Sequence, residues 1–90
     1  MPACEVLIVN KLGLHARAAA KFVATAGRFP CQVRVGHSPE SMVDGKSIMA
    51  VMMLAAGQGT PLHLNAEGEQ EREALDALIE LINDRFGEGE

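Results

Sequence analysis

A chain of 90 residues with 8 lysines and arginines against 12 aspartates and glutamates, a net charge of −4, has room for one domain and one core, and it lacks the basic surplus of a nucleic-acid binder. The longest uncharged apolar run, residues 48–56, is too short to cross a bilayer, and the N-terminus lacks the basic start and long apolar stretch of a signal peptide, so a cytoplasmic protein without membrane insertion is expected. With three Phe and no Trp or Tyr, core building falls to Val, Ile, Leu, Met and Ala.

In chain order, residues 4–9 (CEVLIV) are apolar and rich in β-branched side chains, which predicts a strand. Residues 10–13 break that pattern. Ala19, Ala20, Phe22, Val23 and Ala26 then recur at helical spacing, predicting a helix over Ala16–Ala26 with Gly27 as its stop. The alternation in residues 32–35 (QVRV) marks a second strand, and a turn at residues 36–39 leads to a short third strand at 41–43. Ser47 stands as the N-cap of a helix over residues 48–56, ended by Gly57 and Gly59.

Residues 61–66 form the fourth strand, with Leu62, Leu64 and Ala66 on one face. Leu75, Leu78, Ile79, Ile82 and Phe86 make the apolar stripe of a last helix, which carries Glu69, Glu71 and Glu73 in its first turns and Arg85 near its end; Gly87 closes it. A frayed tail is expected over residues 87–90. The order β-α-β-β-α-β-α predicts an α+β fold, in which helices cover one face of a four-stranded antiparallel sheet.

Cys4 and Cys31 lie in separate segments and have no ligand-spaced partner, so both are expected as reduced core residues, with no metal site. His37 belongs to a turn, and His63 to a strand from which it points outward. Charge is unevenly spread: residues 1–46 carry +3 and residues 47–90 carry −7. That dipole could steer an acidic partner to the basic side, although a solvated acidic helix accounts for much of it.

The residues most suited to chemistry are Asn10-Lys11-Leu12-Gly13-Leu14-His15-Ala16-Arg17-Ala18. They set a histidine at the mouth of a helix, where unpaired backbone N–H groups and the positive end of the dipole favour an anion. A phosphoryl group carried by His15 would meet the N–H groups of Ala16 and Arg17, and the Arg17 guanidinium adds a fork of donors. By residue type alone, a solvated His and Arg at a helix start explain the pattern as well. The second feature is the chargeless run of residues 47–56. So small a domain cannot bury all of it, and Ile48, Met49 and Met52 are expected to form an exposed docking patch, while Val51 and Leu54 serve the core. There is no Gly-rich nucleotide loop and no nucleophilic serine with a matched base, so no cofactor is expected and the phosphate must come from elsewhere.

NKLGLHAR (residues 10–17) together with DGKSIMAVMML (residues 44–54) resembles HPr, the histidine-containing phosphocarrier of the bacterial phosphoenolpyruvate-dependent phosphotransferase system. The resemblance covers essentially the whole chain, residues 1–90, as a single HPr-like domain. It implies an open-faced β-sandwich with strand order 1-4-2-3 and three helices on one side. It also implies that enzyme I phosphorylates His15 on Nδ1 with help from Arg17, and that His15 passes the group to an EIIA-type protein. The protein is then a phosphoryl carrier and no stand-alone enzyme.

By the same resemblance Ile48, Met49, Met52 and Ala20 form the docking surface, with Lys21 and Arg28 on its basic rim. Ser47 matches the serine that HPr kinase/phosphorylase modifies in some bacteria, where added charge would oppose docking. Ala18 departs from the proline common after the arginine. Ala18, the Met-rich second helix and the acidic third look somewhat like the nitrogen-related regulatory branch, NPr, rather than the sugar-uptake branch. Two other classes compete: a module that regulates by docking alone, and an acylphosphatase-like hydrolase, which would leave His15 without a role. A monomer is the simplest expectation.

Overall fold

The computed structural model describes residues 3–87; of the tail expected at 87–90, residues 88–90 lie outside that range. The elements run β1 (Ala3–Leu7), α1 (Ala16–Ala26), β2 (Gln32–Gly36), β3 (Met42–Asp44), α2 (Ile48–Met53), β4 (Pro61–Glu67) and α3 (Glu71–Asn83), followed by a single 3₁₀ turn at Arg85–Gly87. The four strands make one antiparallel sheet in the order β1-β4-β2-β3. This is the α+β open-faced sandwich with strand order 1-4-2-3.

Alternation along the strands decides which face is covered. Val6 of β1 pairs with Leu62 of β4, and Val33 and Val35 of β2 pair with Ala66 and Leu64, so these apolar side chains share one face. All of them are buried. Phe22 of α1, Val51 of α2, Leu78 and Ile82 of α3, and Phe86 complete the core over them. Helix α1 packs against both α2 and α3. On the opposite face, the paired residues Glu5 and His63 point outward and meet at 3.1 Å.

Several boundaries differ from the pattern in the sequence. Strand β1 begins at Ala3 and ends at Leu7, two residues before the end of its apolar run. Ile8 stays buried but bonds instead to the loop before β4, donating to the Thr60 carbonyl (3.0 Å) and accepting from the Gly59 N–H (2.7 Å). Helix α2 stops at Met53 rather than Ala56, because Ala55 turns left-handed (φ 51°). Gly27 caps α1 in right-handed geometry (φ −68°), donating to the Val23 carbonyl.

Helix α3 starts only at Glu71, so Glu69 precedes it; Glu71 reaches back and accepts from the Gly68 N–H at 2.9 Å. The helix ends at Asn83, and Arg85 and Phe86 both take left-handed conformations. Phe86 therefore reaches the core from a turn rather than from the helical stripe. Cys31 is buried and Cys4 half-buried, and both are free thiols. Burial, with the Asp76 carboxylate second, pushes the Cys4 thiol above its ordinary range.

Candidate functional site

The loop before α1 is built to present His15. Asn10 is fully buried, and its side-chain amide donates to the Gly13 carbonyl (2.9 Å) while the Gly13 N–H returns to the Asn10 carbonyl (3.2 Å). This closes a tight turn. Gly13 has φ +66°, and a Cβ there would lie 2.4 Å from the Ala56 carbonyl oxygen and 2.7 Å from Gly57 Cα. Next in the chain, the Leu14 N–H donates to the same Ala56 carbonyl at 2.8 Å, and the Leu14 side chain enters the core. The start of α1 is thus fastened to the exit of α2.

Gly13→Ala would combine left-handed strain with a collision against backbone that cannot swing aside. It is expected to cost about 2–4 kcal/mol. A lowered urea midpoint with an unchanged m-value checks this, and an unshifted midpoint would show that the two loops separate easily.

His15 is the N-cap residue of α1, half-buried and extended (φ −74°, ψ 179°), with a side chain that makes no capping bond to the helix. Its carbonyl already accepts the first helical bond, from the Ala19 N–H at 2.8 Å. The amides of Ala16, Arg17 and Ala18 have no carbonyl to reach within the helix, and they point past its N-terminus. No acidic residue occupies that first turn. Lys11, Leu12, His15, Arg17, Lys21 and Gly87 line one open cleft of ≈ 660 Å³. An imidazole at its edge, helix amides beneath and exposed cations nearby can receive a phosphoryl-sized anion and offset its charge.

The other residues singled out in the sequence fall in three places. Ile48, Met49 and Met52 are exposed on α2 (40%, 67% and 39%), whereas Val51 is buried and Leu54 packs partly against the core. Ala20 is exposed on α1. Lys21 reaches the His15 cleft, but its ammonium donates to the Phe86 carbonyl at 2.6 Å, tying the C-terminal turn to α1. Arg28 lies beyond the opposite end of α1, one helix length or about 16 Å along the axis from His15. Its guanidinium sits 5.6 Å from the centre of the Phe29 ring, and it faces Glu80 and Asp84 across a groove. Ser47 is the half-buried N-cap of α2, and its hydroxyl accepts from the Ala50 N–H over a long 3.4 Å.

Two exposed apolar side chains escaped the sequence reasoning. Met53 (80%) and Leu12 (67%) extend the patch around the α2 exit and the His15 loop. For Leu12 the signal was an apolar residue inside an otherwise polar turn. His37 also proves to be more than a turn residue, since its Nε2 lies 2.6 Å from the Leu54 carbonyl oxygen. Among the described residues no three His, Cys, Asp or Glu side chains cluster as a metal site would require, and no helix is long and apolar enough to cross a membrane.

Comparison with known proteins agrees with this arrangement. Residues 3–84 match the family model described as the PTS HPr component phosphorylation site. The chain is 79% identical over 90 residues to the phosphocarrier protein HPr of Pseudomonas aeruginosa, with all of both chains covered. It is 36% identical over 84 residues to the phosphocarrier protein NPr of Shewanella violacea, covering 93% of this chain and 91% of that one. Among solved structures, HPr-C-His from Thermoanaerobacter tengcongensis superposes with a TM-score of 0.91 at 46% identity, over 98% of each chain.

Proposed function

This chain belongs to the HPr family, the phosphocarrier proteins of the phosphotransferase system, and on that premise we propose that His15 accepts a phosphoryl group from enzyme I and delivers it to an EIIA-type protein. The observation that carries this reading is the position of His15 as the N-cap of α1, over the first-turn amides and beside Arg17 in one cleft. In the forward step, Nδ1 of His15 attacks the phosphorus, the bond to the donor's nitrogen breaks, and a new P–N bond forms. The three phosphoryl oxygens spread their charge over the amides and the Arg17 guanidinium. A phosphoramidate held by hydrogen bonds alone stays reactive, as a carrier's cargo must be.

The exposed apolar side chains of α2 and Leu12, with Ala20, supply the docking surface for both partners. Lys21 and Arg28 flank it at the two ends of α1, close to the cleft and far from it. The whole chain acts as one such domain, as a cytoplasmic monomer and no independent catalyst. Where an HPr kinase/phosphorylase is present, Ser47 is its target: a phosphate there would stand beside Ile48 and Met49 and oppose docking.

The test is a two-step relay from labelled phosphoenolpyruvate. Label should appear on this chain only when enzyme I is present, and should leave it when an EIIA-type protein is added. Using the enzyme I form of each branch in turn assigns the chain to sugar uptake or to nitrogen-related regulation. A chain that stays unlabelled with both forms would end the carrier reading.

A further inference from the structure

Helix α2 has only six residues, too few to hold its own shape without outside bonds. Its exit is supported in an unusual way. The Leu54 and Ala55 N–H groups bond back to the Val51 and Met52 carbonyls (3.2 and 3.1 Å), and Ala55 then bends left-handed, a conformation that a side chain disfavours. Two bonds from outside fasten this bend. The Ala56 carbonyl takes the Leu14 N–H at 2.8 Å, and the Leu54 carbonyl takes His37, whose Nε2 stands 2.6 Å away across the turn between β2 and β3. A carbonyl oxygen only accepts, so Nε2 is the donor.

We propose that His37 is a positioning residue for phosphoryl transfer, a clamp that holds the α2 exit and through it both the docking side chains Met52 and Met53 and the loop that presents His15. The two outside bonds meet the exit only two residues apart, so any shift of residues 54–56 moves Leu14, and His15 follows Leu14 directly in the chain. His37 itself is exposed and fills no core space, which separates this role from ordinary packing. The inference rests on the proposed docking role of α2, and it concerns geometry alone: His37 touches neither the phosphoryl group nor the partner.

The experiment compares wild type, His37→Ala and His37→Gln, the last of which can place an amide donor near the Nε2 position. Losing the clamp should raise the KM for this chain as the phosphoryl acceptor of enzyme I by about three- to tenfold. The kcat should stay within about twofold, and His37→Gln should recover most of the loss. An unchanged KM in His37→Ala overturns the proposal, as does a His37→Gln protein no better than His37→Ala. Amide hydrogen exchange at Leu14 and Ala55 needs no phosphoryl donor, so it tests the clamp even if the wild-type chain is not phosphorylated. Faster exchange in His37→Ala than in His37→Gln supports it; equal rates overturn it.

Discussion

A His15→Ala chain is expected to gain no phosphoryl group from phosphoenolpyruvate and enzyme I, and to carry none to an EIIA-type protein. The reason is local. The first-turn amides of α1 and the Arg17 guanidinium survive the substitution, yet they can only hold an anion and cannot form a covalent bond to it. The other two histidines are poor substitutes. His63 faces Glu5 across β1 and β4, and His37 is engaged with the Leu54 carbonyl; neither opens a helix. Because the His15 side chain makes no capping bond to α1, the variant should lose about 1 kcal/mol or less and remain folded. Intact-mass analysis and thermal melting read the two halves of this expectation. Phosphoryl uptake by a folded His15→Ala chain would move the chemistry to another residue.

The second large effect should come from placing a charge in the apolar patch. Ile48→Asp removes an exposed branched side chain and sets a carboxylate where the partner must desolvate it. Ile48 is the first residue of α2, a position where a negative charge suits the helix dipole, so the fold should lose nothing by the change. Transfer from enzyme I should fall about thirtyfold or more in kcat/KM, mainly through KM. His15 should still become fully phosphorylated after long incubation with excess enzyme I. That separates lost docking from lost chemistry, which His15→Ala removes outright. If Ile48→Asp transfers at the wild-type rate, partners approach His15 from another side.

Much of this was readable from residue patterns, and the parts that were not have identifiable causes. Alternation in residues 32–35 and 61–66 marked β2 and β4, and the Leu78 and Ile82 stripe marked α3, because burial on one face leaves a period that survives in the sequence. The placement of His15 at a helix start followed from the glycine loop before it and the small-residue stripe after it. Helix ends were harder. Ala55, Arg85 and Phe86 all take left-handed conformations without being glycine, so composition gives no sign of the bends that end α2 at Met53 and swing Phe86 inward. Long-range bonds left no periodic trace either: Lys21 to the Phe86 carbonyl spans 65 residues, and His37 to the Leu54 carbonyl spans 17. Charge counting placed Lys21 and Arg28 on one basic rim, but α1 holds them at its two ends.

Phosphorus NMR of the wild-type chain, incubated with phosphoenolpyruvate and enzyme I and assigned to its nitrogen by proton correlation, tests the central claim most directly. The account predicts one acid-labile phosphoramidate resonance, correlated with the His15 ring and placed on Nδ1. No phosphorus signal on the chain, or an acid-stable phosphate ester on a hydroxyl such as that of Ser47, would contradict it.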